Sequence, residues 1–225
     1  MSDFIYLSYF LSDSLTAYGN GKRIVVEKSK SIINGDSSNN SVLSFSSHLG
    51  THIDYQFHFC KDGKKSSDYT VNDHIFNNVV VVEIDLVNSD ILLINEDILP
   101  LESLNTEIDC LIIKTGFSNI RYEDRYWNFN PGINPNLAEK LNKKFPKLRA
   151  IGFDSISLSS YQHRDIGREA HKEFLCKYGY LIVEDMDLTK IYSKSKIKRL
   201  IIAPILIKNI DGVPVTVIAE VNNND

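Results

Sequence analysis

HLGTHIDYQFH, residues 48–58, holds three of the chain's six histidines within eleven positions. Its polar members His48, His52, Asp54, Gln56 and His58 carry even numbers, and its apolar members Leu49, Ile53, Tyr55 and Phe57 odd ones. Side chains of an extended chain alternate between faces, so every potential ligand projects one way and every packing residue the other. Fully extended, the stretch would span roughly 33 Å, whereas donor atoms sharing an ion must gather about 2 Å from it. A bend is required, and Gly50 supplies it, folding His48 back over the His52 and Asp54 pair. Imidazoles beside a carboxylate suit a hard to borderline divalent ion, which a merely solvated strand would not require.

The surrounding chain is rich in β-branched and aromatic runs. RIVVE (23–27), VLSFSS (42–47), VVVVEI (79–84), CLIIKT (110–115), RAIGFD (149–154), YLIVE (180–184), RLIIAPILI (199–207) and VPVTVIAEV (213–221) read as strands. GDSSNNS (35–41) and NIDGVP (209–214) punctuate the first and last pairs as antiparallel turns. A helix is predicted from Asn134 as N-cap and Pro135 at the first position, with Leu137, Leu141 and Phe145 on one face, ending at Pro146. A second, from about Ile166 to Tyr178, puts His171, Phe174, Leu175 and Tyr178 on one face, so His171 points to the packed side. No repeat or linker divides the chain, which predicts a single domain over 1–225.

These residues carry a resemblance. HLGTHIDYQFHF resembles the HxGTHxDxPxHF signature of the metal-dependent cyclase-like hydrolases, the family that includes bacterial kynurenine formamidase. NPGINPNLAEKL (130–141), GFDSISL (152–158), AHKEFL (170–175) and LIVEDMDL (181–188) resemble further segments of that family, in family order over about 42–190. The resemblance implies an α/β fold, a strand-rich swivelling β/β/α domain. It also implies metal ligands at His48, His52, Asp54, His171 and Glu184, with His58 transferring protons instead of ligating. Five ligands exceed the three that a single catalytic zinc usually takes, and Asp54 and Glu184 could bridge two ions, so one or two Zn or Mn ions per chain are expected. Family members pair so that one subunit closes the other's pocket, which implies a homodimer or tetramer.

The chain departs from the family at several positions. Gln56 replaces a proline, Tyr55 a small residue, Ser159 the second aspartate of a GIDxxSxD segment, and Tyr18 an N-terminal proline. The expectation is an intact metal centre with an altered substrate pocket, in which the Gln56 amide favours a substrate with a matching polar group.

Other features set limits. A net charge of −4 offers no broad cationic surface, so nucleic acid is not an expected partner. The Phe4–Leu11 stretch is too short to span a membrane and lacks the basic flank of a signal peptide, predicting a cytoplasmic protein with no membrane partner. Cys60, Cys110 and Cys176 form no CxxC pair, so neither a disulfide framework nor a Cys-based zinc site is implied, and Cys60 reads as a buried thiol in a reducing compartment. YGNGK (18–22) lacks P-loop spacing and reads as a turn. Ser155, Ser157, Ser159 and Ser160 near His163 and Asp165 read as loop polar groups, since no GxSxG elbow is present. RYWNF (125–129) reads as a pocket wall, a packing element or a subunit contact. The leading function is metal-dependent hydrolysis of an amide or lactone carbonyl of a small metabolite, of the aryl formamide kind. The alternatives are cyclisation or dehydration on the same centre, and a non-catalytic metal-binding scaffold.

Overall fold

The computed structural model describes residues 2–13, 21, 23–191 and 196–222. Its strands are β1 (Ser2–Tyr6), β2 (Val25–Lys30), β3 (Asn40–Ser44), β4 (His52–Asp54), β5 (Ile75–Phe76), β6 (Val79–Glu83), β7 (Leu93–Ile94), β8 (Cys110–Lys114), β9 (Gly132–Ile133), β10 (Ala150–Phe153), β11 (Leu181–Glu184), β12 (Ile197–Pro204) and β13 (Gly212–Asn222). Its α-helices are α1 (Asp124–Asn128), α2 (Asn136–Lys144) and α3 (Arg164–His171). Among the described residues, nine strands form one sheet in the order β5-β12-β13-β4-β11-β10-β8-β6, with β1 also on β13. This is the mixed α/β, strand-rich architecture expected. Tyr18 and all of YGNGK except Gly21 lie outside the described residues.

The parallel strands β8, β10 and β11 are buried on both faces, as near-continuous apolar runs must be. Leu111, Ile113, Ile151, Phe153 and Ile182 join a core with the helix residues Leu137, Leu141, Phe174 and Leu175. Cys110, Ile112, Ala150, Leu181 and Val183 face a second core with Ile53, Tyr55 and the apolar residues of β12 and β13. The Asn134 side chain accepts from the Asn136 N–H at 3.0 Å, so the predicted cap of α2 forms. The second predicted helix is two segments: α3 ends at His171, and the chain continues as a π-helical turn over Lys172–Lys177. The β2–β3 and β12–β13 pairings are antiparallel, as their turns predicted.

The short β4 positions the site. It lies between β11 and β13, antiparallel to both, with His52 opposite Glu184 and Asp54 opposite Gly212. His52 and Asp54 project to one face while Ile53 and Tyr55 enter the second core, which is the alternation expected from the sequence. Gly50 takes φ 66°, the left-handed conformation its bend requires.

The alternation stops after Tyr55. Residues Gln56–His58 form a 3-10 turn, in which the His58 N–H donates to Tyr55 O at 2.9 Å. Gln56 is thereby turned away from the ligand face, and its Oε1 accepts from the Lys64 N–H at 3.2 Å. Tyr55 packs against Tyr69 at 4.9 Å between ring centroids, the rings tilted by 32°, and its hydroxyl meets His74 Nε2 at 3.1 Å. Neither residue lines the cavity at the histidine cluster, so the expected retuning of the pocket by Gln56 and Tyr55 is corrected. The cysteine expectation is corrected as well: Cys60 and Cys176, 116 positions apart, form a disulfide that ties the turn after His58 to the segment after His171. Wide spacing in sequence concealed a close approach that only tertiary packing creates. Cys110 remains a buried free thiol.

Candidate metal centre

The histidine tautomers can be read from their carbonyl partners, because only an N–H can donate to a carbonyl oxygen. His52 Nδ1 donates to Gly50 O and His171 Nδ1 to Gly167 O, each at 2.8 Å. Both rings therefore turn Nε2 inward, the arrangement by which a backbone carbonyl orients a metal-ligating imidazole. His52 Nε2 lies 3.5 Å from Asp54 Oδ1 and 3.4 Å from Glu184 Oε2. His171 Nε2 lies 3.7 Å from Asp54 Oδ2 and 3.4 Å from Glu184 Oε1. Each carboxylate thus divides its two oxygens between the two imidazoles.

These separations fit an ion better than they fit direct ion pairs. Charged N–H···O pairs close to about 2.7–2.9 Å, whereas two donors each about 2.1 Å from a tetrahedral ion stand about 3.4 Å apart. Asp54 Oδ2 is buried and has no hydrogen-bond partner, an arrangement that costs on the order of 1–3 kcal/mol unless something else satisfies it. Glu184 Oε1 is aimed by the Leu158 N–H at 2.7 Å. His52, Asp54 and Glu184 form one group of donors within 4.8 Å of one another, and His48, Asp54 and His58 form another. The residues present therefore fit a divalent cation, with Asp54 common to both donor groups.

Electrostatics say the same. Burial disfavours charge on His52 and His171, yet Glu184 and Asp54 outweigh it and raise both pKa values. Burial alone would raise Glu184 and Asp54, but the surrounding imidazoles hold both carboxyls below their ordinary range. The buried carboxylates thus favour positive charge on the imidazoles around them, and a bound cation would answer the same negative charge.

Asp211 is a site residue that sequence reading missed. Its Oδ2 lies 2.9 Å from His48 Nε2 and 3.0 Å from His58 Nδ1. The other nitrogen of His48, Nδ1, meets Asp54 Oδ1 at 2.9 Å. Burial opposes charge on His48, but the bonds to Asp211 and Asp54 push its pKa up to about 10. Those same imidazoles hold Asp211 far below the usual carboxylate range. Gly212 makes this possible, since a Cβ there would stand 2.4 Å from His48 Cε1. Nothing in NIDGVP beyond its turn composition signals that role. Phe59 also went unread; it stacks on His171 at 4.4 Å between centroids.

His48, His52, His58, His171 and Glu184 line one cavity of about 360 Å³. Asp54 lies beneath it, fully buried. All six predicted site residues are thus brought together. Of the four serines, Ser157 Oγ reaches Glu184 Oε1 at 3.4 Å and Ser159 Oγ lies 3.4 Å from His171 Nδ1, so two of them touch candidate ligands. RYWNF lies elsewhere: Tyr126 is buried with its hydroxyl on Asp185, and Trp127 sits 5.4 Å from the Arg121 guanidinium. The described residues include no helix long and apolar enough to cross a membrane.

The Cyclase family model matches residues 5–160, a span that includes the whole histidine signature. The chain belongs to the cyclase family. Kynurenine formamidase of Bacillus cereus is 28% identical to this cyclase-family chain over 215 residues, covering 95% of each. Isatin hydrolase A from Labrenzia aggregata superposes with a TM-score of 0.82 at 21% identity, covering 98% of this chain and 94% of that one. Isatin hydrolase A from Ralstonia solanacearum gives 0.78 at 15% identity, covering 98% and 92%. These likenesses establish the cyclase fold of the chain.

Proposed function

We propose that this cyclase-family protein is a metal-dependent hydrolase of a carbon–nitrogen amide bond in a small molecule, of the aryl formamide or cyclic amide kind. The observation that carries the reading is the division of the Asp54 and Glu184 oxygens between the His52 and His171 Nε2 atoms, with Asp54 Oδ2 buried and unsatisfied. The relative named kynurenine formamidase supports it over nearly the full chain. Zn or Mn suits the mixed imidazole and carboxylate set. His48, His52, Asp54, His171 and Glu184 would hold it. When bound, a divalent ion supplies Lewis acidity that polarises a carbonyl and acidifies water.

The chain's own residues do the rest. His58, oriented through Nδ1 by Asp211, takes a proton from the attacking water and delivers it to the departing nitrogen. The C–N bond breaks as the C–O bond forms, giving a carboxylic acid and an amine. Phe59 covers one face of His171 and keeps bulk water from it. Self-association belongs to the same proposal. The β2–β3 hairpin is exposed along both strands, with Val25, Val26, Val42 and Leu43 about half accessible, and a lone two-stranded hairpin is marginal in water. A second copy of the chain covers it in a symmetric dimer or a dimer of dimers.

The test is turnover of a panel of N-formyl arylamines, cyclic amides and lactones by protein reconstituted with Zn or Mn. Metal-dependent release of amine and acid from an amide is expected. Preference for lactones, or turnover indifferent to chelation, contradicts the proposal.

A further inference from the structure

Two arginines share the cavity with the metal-centre residues, and neither belongs to the ligand set. Arg164 and Arg168 line it together with Phe59, Ile156 and the imidazoles. Arg164, Arg168 and His171 stand at i, i+4 and i+7 of α3, one face of the helix. At 1.5 Å rise per residue, Arg168 lies about 4.5 Å and Arg164 about 10.5 Å along the helix axis from His171.

The guanidinium of Arg164 packs over the Tyr161 ring at 4.3 Å, and among the described residues no carboxylate is paired with it. Arg168 pairs with Asp165, three residues earlier, but both side chains are mostly exposed. An exposed pair of this kind holds its partner weakly and yields it readily to a better-placed anion. Among the described residues, the single carboxylate lining the cavity is Glu184, already engaged by His52 and His171. A divalent cation at the centre would be balanced by Asp54 and Glu184, and Arg168 has Asp165, so among the described residues the charge left unpaired on this wall is the Arg164 guanidinium, beside apolar Phe59 and Ile156.

From this placement we infer that Arg164 and Arg168 form an anion subsite, and that the substrate of the proposed hydrolase bears a carboxylate several ångströms from its scissile amide. The inference rests on the function proposed above. A planar guanidinium offers paired N–H donors matched to a carboxylate, and Tyr161 holds Arg164 ready without neutralising it.

The experiment compares 3-(formylamino)benzoate with formanilide, which lacks only the carboxylate; the meta position keeps it from chelating alongside the amide. Metal-loaded wild-type protein should favour the anionic amide by at least tenfold in kcat/KM. In Arg164→Gln/Arg168→Gln that ratio should fall at least tenfold, mostly through KM. Equal kcat/KM for the two amides in wild type, or a ratio unchanged in the variant, overturns the subsite while leaving the hydrolase reading intact. If neither amide is hydrolysed, the hydrolase reading rests on the wider amide panel, and calorimetry with benzoate and benzamide decides the subsite independently. At least tenfold weaker benzoate binding in the metal-loaded double variant, with benzamide little changed, sustains it; equal benzoate affinity in both proteins overturns it.

Discussion

Asp211 Oδ2 stands 3.0 Å from His58 Nδ1, so a carboxylate 153 positions downstream sets the direction of the ring that closes the histidine signature. It reaches there because Asp54 pairs with Gly212 across β4 and β13, placing the turn residue Asp211 above the cluster. Asp211→Asn should lower kcat about 10–100-fold, the usual effect of removing a residue that orients a reacting group. Because the effect passes through His58, the Asp211→Asn/His58→Ala double variant should be within about twofold of His58→Ala alone. Additive losses would separate the two residues.

Metal content distinguishes ligand from proton carrier. Asp54→Ala removes the carboxylate that faces both His52 and His171, and elemental analysis should show most of the metal gone. His58→Ala should retain the metal while kcat falls on the order of 10² to 10⁴. Loss of metal in step with activity in His58→Ala would make His58 a ligand, as its place in the donor group with His48 and Asp54 permits.

The pH dependence of the metal-free protein follows from the shifted groups. His48, raised to about 10, contributes stability that is full below its unfolded value of about 6.5 and is lost as pH rises toward 10. Asp211, Asp54 and Glu184, all lowered, contribute stability present above about pH 4 and lost as pH falls further. Metal competes with the protons on His48, His52 and His171, so its affinity should increase from pH 6 to pH 8.5 with measurable proton release. Thermal scans at the two pH values should show the larger metal-induced rise in Tm at pH 8.5. A larger rise at pH 6 would contradict the assignment of these imidazoles as ligands.

The Cys60–Cys176 disulfide joins the loop carrying His58 and Phe59 to the segment following His171. A cross-link closing so long a loop contributes on the order of 2–4 kcal/mol, so Cys176→Ser or a reductant should lower Tm by about 5–10 °C. An unchanged Tm under reductant, with both thiols titratable before it is added, would show that the bond does not form.

Much of this architecture was legible from periodicity alone. All eight apolar runs lie in strands: those of β8, β10 and β11 because β-branched stretches buried on both faces leave little alternative, and those of the two hairpins because their turn residues pair them, even where β2 and β3 stay exposed. The even-numbered ligands of β4 were readable as far as Asp54, where period-two alternation holds. From Gln56 the 3-10 turn breaks the alternation, so Gln56 was placed at a pocket it does not touch, whereas Tyr55 keeps the packing side that the alternation assigns it. Asp211, Arg164 and the Cys60–Cys176 pair were not legible, because each acquires its partner through contacts between segments distant in sequence or through the cavity beside α3.

In the proposed hydrolase, Asp54 and Glu184, each dividing its oxygens between His52 and His171, hold the divalent ion on which amide hydrolysis depends. The most direct measurement follows formate release from N-formylkynurenine and simpler aryl formamides while chelated protein is titrated with Zn or Mn. Turnover should be absent without metal, rise in proportion to bound metal, level off at one or two ions per chain and vanish again on chelation. Turnover by fully metal-free protein, or metal bound at that stoichiometry with no amide in the panel hydrolysed, would exclude a metal-dependent amide hydrolase.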